Sequence, residues 1–284
     1  TFAQPNPFGV FIGIVLPLTL TGMLHTTQNI IKKHRLKSPI RNTAVEWTFY
    51  TGATIVILAA LIASWSRGAW LGFTISVALM AFALPRKLVH SFAISFALVI
   101  LIASLLILGL LPQSIVDRLT TAATDFITIE EIRGVDINPI NYAVVERIAH
   151  WQAAINMAEA NPLFGIGLGN YEITYNEYTL MNWKEALGHA HNYYLNILAE
   201  TGIIGGLGYL MFWIVVFVVS WQVRGHPDQY TRTVGIGLLG TWSYIAVHSI
   251  FDNLYVNNLF LHIGVLLGIL AILHQQIWAT KTLE

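Results

Sequence analysis

Apolar positions along this chain fall into long runs, not the alternating or one-faced patterns of water-soluble domains. The first covers residues 8–24, with Pro17 inside it. Others lie at 47–65, 68–84, 88–111, 191–221, 233–251 and 254–277. At 1.5 Å per residue, about 20 residues cross the hydrocarbon core of a bilayer. Each run therefore predicts one crossing. Pro17 is compatible with this where neighbouring helices satisfy the carbonyl it frees. The expected fold is all-α: a polytopic transmembrane helical bundle of about seven crossings, with one large, partly helical extracytoplasmic loop.

The polar connections orient the bundle. Lys32, Lys33, Arg35, Lys37 and Arg41 stand against the single acid Glu46, and Arg86-Lys87 makes a second basic turn. Short loops this basic face the cytoplasm. Residues 112–190 differ, with ten acids against four bases (Arg118, Arg133, Arg147 and Lys184), as suits the opposite face. The chain divides into four crossings in 1–111, the loop 112–190, and three crossings in 191–284. Within the loop, Val144, Ile148, Trp151 and Ile155 form one apolar stripe, which predicts an amphipathic helix over about 144–158. Asn161-Pro162 closes it, and the glycine-rich stretch 165–170 follows. That stretch lacks the strand and the lysine-serine end of a phosphate-binding loop.

Composition agrees with a membrane solvent. The chain is 55% hydrophobic and 11% charged, against about 25% charged residues in ordinary domains, and its mean hydropathy is +0.62. It has no cysteine, which excludes disulfides, thiolate catalysis and cysteine-ligated metals. The formal charge of zero hides the segregation of bases and acids described above. The chain starts at Thr1 without a signal-peptide pattern, which is expected of a processed chain or one begun internally.

Few polar residues lie where chemistry can be placed. Arg67 sits in a two-residue break between crossings, where it either snorkels to headgroups or serves a site at the helix mouth. Arg147 either stacks on Trp151 as a surface cation or acts as an anion clamp, since its planar fork suits phosphate. His191 opens the fifth crossing; it is a satisfied interface residue or a general base. On its helical face lie Leu195, Leu198, Gly202 and Gly205, leaving room for a close helix or lipid chain. Glu200, half a turn off that face, is a functional candidate or a structural pair. His248 and Asp252 are i and i+4, too few ligands for a metal, and His150 and His189 read as bystanders.

These residues together resemble the O-antigen ligase and polymerase superfamily of bacterial envelope glycan enzymes. The family's ligase motif is His, then Asn, Ser or Gln, nine residues, Gly, two residues, and Gly, Thr or Tyr. Here it is His191-Asn192, nine residues, Gly202, Ile203-Ile204 and Gly205. SRGAWLGF (66–73) is similar to the family's arginine-bearing turn, and ERIAHW (146–151) with NPLFGIGLGN (161–170) to its large periplasmic loop. HSIFDN (248–253) resembles the acidic position near the last outer turn, and QPNPFGVFIGIVLPL (4–18) a segment found midway along such proteins.

The resemblance implies metal-independent, cofactor-free glycosyl transfer at the outer side of the bacterial inner membrane. The donor would be a glycan on undecaprenyl diphosphate, and the acceptor a glycan or lipid A-core hydroxyl. Arg67 and Arg147 would neutralise the leaving diphosphate, His191 would be the base, and Asp252 would support it. Asn192, Glu200 and Trp151 are expected to line the substrate site. Membrane lipid is an expected partner and nucleic acid is not. Family members have more crossings than this chain, so several N-terminal ones are expected to be missing. The competing expectation is a non-catalytic membrane subunit whose His248, His262 and His274 pack or ligate a pigment or haem.

Overall fold

The computed structural model describes residues 5–110, 113, 116–117, 137, 141–180 and 183–281. Arg118, Asp125, Glu130, Glu131, Arg133 and Asp136, part of the expected acidic loop, lie outside the described residues, as does Leu111 at the end of the expected fourth crossing. Among the described residues the regular structure is helical throughout: α1 (Pro5–Arg35), α2 (Arg41–Ala63), α3 (Arg67–Ala83), α4 (Leu88–Ile107), α5 (Tyr142–Ala160), α6 (Tyr171–Tyr178), α7 (Tyr193–Arg224), α8 (Gln229–His248) and α9 (Leu259–Lys281). The all-α expectation holds.

Five helices, α1, α2, α4, α7 and α9, are long and apolar enough to cross a membrane, and α3 is a shorter apolar helix. Four of the five bury little of their apolar length, between 6% (α4) and 17% (α7). Residues such as Val56, Phe96, Leu207 and Val265 are more than half exposed. Contiguous apolar surface on this scale needs a cover other than water, and a bilayer supplies it for the whole helix length. The chain is a multi-pass membrane protein.

The chain forms two compact units. The first comprises Thr1–Val99, Ile214–His248 and Leu254–Glu284. At its centre α8 packs on α1 and α3, and it is buried on nearly all sides, from Gly235 through Ile245. A helix apolar all round is one that other helices enclose. Gly13 on α1 lets Tyr244 cross: a Cβ there would meet the tyrosine ring at 2.0 Å. The same tyrosine donates its hydroxyl to Gly9 O at 2.7 Å, and Thr241 donates to Ile14 O at 2.9 Å. Thus α8 supplies side-chain donors to two backbone carbonyls of α1. At the other end of α3, Arg224 donates to Ala83 O (2.7 Å) and Pro85 O, and Arg232 donates to Leu84 O. These arginines occupy the carbonyls that a helix C-terminus leaves unpaired.

The second unit comprises Ile100–Trp213 and Ser249–Asn253. Ala153, Ala154 and Met157 of α5 pack against Tyr171 and Tyr175 of α6, with Ala190 and Ala199. Alanines on α5 let the tyrosine rings approach its backbone closely. The buried face is therefore Val144, Ile148, Ala149, Ala153 and Met157. It does not continue to Ile155, which is 41% exposed, as the sequence stripe anticipates.

Candidate active site

The local structure around His191 departs from a helix that simply begins there. The helix α7 starts at Tyr193, and His191 precedes it with φ +50°, a left-handed conformation that costs a residue with a side chain about 1–3 kcal/mol. The surroundings hold it in place. Its N–H donates to His189 Nδ1 (3.1 Å), its carbonyl accepts from Trp151 Nε1 (3.4 Å), and Ala190 N–H donates to Asn196 Oδ1 (3.0 Å). Asn192 caps the helix: its Oδ1 accepts from the N–H groups of Tyr194 (3.0 Å) and Leu195 (3.1 Å). Asparagine is among the best residues for this, because a short carbonyl reaches two orphan donors of the first turn. Tyr193 N–H donates to Ser249 O (2.8 Å), which ties the 249–253 segment to the same point.

The expected helical face of His191, Gly202 and Gly205 is corrected by this geometry. His191 lies outside the helix, and α7 is broken at Gly202 (φ 64°, ψ −167°). The break exposes backbone groups on both sides, and the loop after α5 takes them up. Ile166 N–H donates to Ala199 O (3.0 Å) and Gly167 N–H to Glu200 O (2.9 Å), while Ile203 N–H donates to Pro162 O (2.9 Å). The approach leaves no room for side chains. A Cβ on Gly202 would lie 2.4 Å from the Leu163 carbonyl, and one on Gly165 (φ +67°) 2.4 Å from the Glu200 carbonyl carbon. The motif glycine and the glycine-rich loop are two halves of one backbone junction. Glu200, buried beside the break, accepts from Tyr171 N–H (3.2 Å) at the start of α6, where a carboxylate offsets the helix dipole.

His189, His191 and Asp252 meet here. Asp252 Oδ1 is 3.4 Å from His191 Nδ1, 4.0 Å from His189 Nε2 and 2.8 Å from Asn253 N–H. Three possible ligand atoms thus lie within 4.8 Å of one another. The hydrogen bonds assign the protons differently from a metal site. His189 Nδ1 accepts the His191 N–H, so a neutral His189 carries its proton on Nε2, the atom facing Asp252. Burial, with His191 beside it, lowers the His189 pKa to about 4, against the raising influence of Asp252. His189 is therefore neutral near pH 7. With its Nδ1–H directed at the carboxylate, His191 is the histidine hydrogen-bonded to Asp252 (3.4 Å), while His189 Nε2 stands 4.0 Å away, beyond hydrogen-bond distance. His191 Nε2 then bears the lone pair, and it is buried with no hydrogen-bond partner among the described residues.

Arg147 flanks this cluster from α5. It donates from Nη1 to Ala143 O (2.7 Å) and from Nε to Phe251 O (3.3 Å). The second bond holds the turn on which Asp252 sits. His150, one turn further along α5, places its ring edge-on to His191 at 5.4 Å, and His189 lies at 4.4 Å. Burial, with His191 and His189 nearby, lowers the His150 pKa to about 4. Burial also raises the Tyr171 hydroxyl, which donates to His150 O (3.1 Å).

Of the residues expected from sequence, the structure gathers Arg147, Trp151, His191, Asn192, Glu200 and Asp252 in the second unit; Arg67 opens α3 in the first, after the cap Ser66. His150 and His189, read from sequence as bystanders, sit against His191. The His-x-His spacing of 189–191 was a usable signal, because in non-helical chain alternate side chains share a side. The three histidines of the pigment reading all lie in the first unit and meet separate partners: His248 with Tyr244 (3.0 Å), His274 with Gln222 (2.8 Å), and His262 edge-on to Phe11 (5.4 Å).

No curated protein gave a significant match to the chain. The family profile described as O-antigen ligase matches residues 52–210, which contain Arg67, Arg147, His150, His189 and His191. That match spans more than half of the 284 residues, and the chain therefore belongs to the O-antigen ligase family, within the wider ligase and polymerase superfamily.

Proposed function

We propose that the protein moves a glycan from undecaprenyl diphosphate to a hydroxyl of a glycan or lipid A-core acceptor, on the extracytoplasmic side of the bacterial inner membrane. The single observation that carries this reading is the pairing of His191 with Asp252 inside a chain of this family. His191 Nε2 takes the proton of the acceptor hydroxyl as its oxygen bonds to the anomeric carbon. The bond from that carbon to the donor's diphosphate oxygen breaks, and undecaprenyl diphosphate leaves with the electron pair. Asp252 steadies the imidazolium that forms and keeps Nδ1 protonated, so that the reactive nitrogen is Nε2.

Charge develops on the leaving diphosphate, and preorganised arginines stabilise it most where water is scarce. Two N–H groups of Arg147 are spent on Ala143 O and Phe251 O; a guanidinium has five, and the others are directed at an anion in this reading. Arg67, at the first turn of α3, is assigned a phosphate-neutralising role by the family resemblance alone. Asn192, Glu200 and Trp151 shape the substrate site from behind, through the cap, the α6 start and the His191 carbonyl. The chemistry needs neither a metal nor a cofactor.

The membrane arrangement belongs to the same proposal. Adding α3 and the enclosed α8 to the five long apolar helices makes seven crossings. The bases of 32–41, Arg86-Lys87 and Arg224 face the cytoplasm, and residues 112–190 face outward between the 1–111 and 191–284 membrane segments. Replacing His191 with Ala tests the function: transfer of glycan from the lipid-linked donor should be abolished, with expression and membrane insertion intact. Transfer retained by that variant would refute the base assignment.

A further inference from the structure

We propose that the cavity lined by Tyr142, Glu146, His150, Trp183, Lys184 and Glu185 is a subsite for an uncharged sugar ring of the acceptor glycan. The proposal rests on the reading of His191 as the base that receives the acceptor's proton. The cavity has a volume of about 430 Å³, within the roughly 300–1,000 Å³ of small-molecule sites. All of it lies in the second unit.

Its lining has the chemistry that a pyranose presents. Such a ring is apolar on its C–H faces and polar around its hydroxyl edge. Tyr142 and Trp183 lie with ring centroids 5.4 Å apart at 53°, an aromatic corner against which an apolar face can rest. Around it stand two carboxylates, Glu146 and Glu185, which accept from hydroxyls, and one ammonium, Lys184, which donates. Acids outnumber the base. The cavity therefore disfavours phosphate or uronate groups and suits a neutral ring, unlike the arginine sites proposed for the diphosphate.

Two further polar atoms of the lining residues lie behind the cavity wall. Trp183 Nε1 and His150 Nε2 are buried and have no hydrogen-bond partner among the described residues. The indole N–H is a donor only. His150 is the complement. The single proton of the Tyr171 hydroxyl goes to His150 O (3.1 Å), so that hydroxyl accepts from His150 Nδ1–H (3.2 Å), which leaves the lone pair on Nε2. One is thus a donor and the other an acceptor, and neither is committed among the described residues. His150 also joins this cavity to the chemistry, because its ring lies edge-on to His191 at 5.4 Å. One imidazole separates the cavity from the base.

The test combines binding with kinetics on the purified full-length protein in lipid nanodiscs. Saturation-transfer NMR with methyl glucoside, diacetylchitobiose and digalacturonic acid should show protein contacts for a neutral sugar and none for the uronate. Trp183→Ala should weaken neutral-sugar binding and raise the KM for acceptor about tenfold or more, the equivalent of 1.4 kcal/mol, with KM changing more than kcat. Trp183→Phe, which keeps a ring in place and guards against misfolding, should recover most of the binding. Absence of any neutral-sugar contact in the wild type, or an acceptor KM in Trp183→Ala equal to wild type, would overturn the subsite. His191→Ala separates the two ideas: it should bind sugar normally and transfer nothing. Sugar binding that depends on Trp183 alongside unimpaired transfer by His191→Ala would remove the base and leave the subsite standing.

Discussion

Replacing Asp252 probes how the base is held more closely than removing the base itself. Two N–H groups donate to its Oδ1, His191 Nδ1 at 3.4 Å and Asn253 N at 2.8 Å, and His189 Nε2 lies 4.0 Å away. Asp252→Asn keeps an acceptor oxygen at that point, so Nδ1 stays protonated and Nε2 stays free. What it removes is the negative charge, which acts most strongly once His191 has taken the acceptor's proton. A hydrogen bond to a charged group contributes about 1.5–3 kcal/mol, and a neutral one roughly half as much. The Asn variant should therefore lose about 0.8–1.5 kcal/mol of transition-state stabilisation, or roughly four- to twelve-fold in rate at 1.36 kcal/mol per decade. Asp252→Ala forfeits the whole bond, about 1.5–3 kcal/mol, and should slow transfer roughly ten- to 150-fold. The side chain is only 10% exposed, which limits screening by solvent. Initial rates of transfer at saturating acceptor, on matched amounts of membrane-embedded protein, give the comparison. Thermal unfolding of each variant in detergent checks that the fold is kept. Equal rates for wild type, Asn and Ala would refute the proposed pairing.

Other consequences are as direct. Arg67→Lys should cut transfer by about tenfold or more, because an ammonium lacks the bidentate fork that a diphosphate matches; wild-type rates would leave Arg67 a snorkelling residue. Gly202→Ala combines a positive φ, about 1–3 kcal/mol, with a Cβ that would sit 2.4 Å from Leu163 backbone. A fall in melting temperature is expected, and an unchanged one would refute the junction. His150 and His189 both have pKa values lowered to about 4 by burial. Between about pH 4 and pH 6.5 the unfolded chain binds more protons there than the folded one, so stability should rise with pH across that window and be fully present above it. Melting temperatures flat from pH 4 to 7 would argue against buried neutral histidines.

How much was legible in the sequence differs between the framework and the site. Runs such as 47–65 and 88–107 declare helices because a bilayer can hold only backbone whose hydrogen bonds close within the segment. The arginine, the loop and the His-Asn motif could be recognised in order for the same kind of reason: each is a short contiguous stretch. His189 and His150 read as bystanders in the sequence because their contacts with His191 are not local. His150 is separated from His191 by 41 residues and reaches it only when α5 packs under α6.

The glycines show the division most clearly. Gly202 looked like a smooth patch on a continuous helix, since helical phase is all that spacing can report. Its positive φ and the insertion of residues 162–167 into the gap come from a backbone pairing between two distant segments. Sequence alone determined a membrane-bound all-helical protein of the ligase family, through composition, run length and a chain of short motifs. Tertiary packing decided that His191 Nδ1 faces Asp252, that His189 and His150 sit against His191, and that Asn192 and Glu200 hold backbone. Those depend on distances of a few ångströms between residues far apart in the chain, and hydrogen-bond geometry at that range has no signature in hydropathy or periodicity.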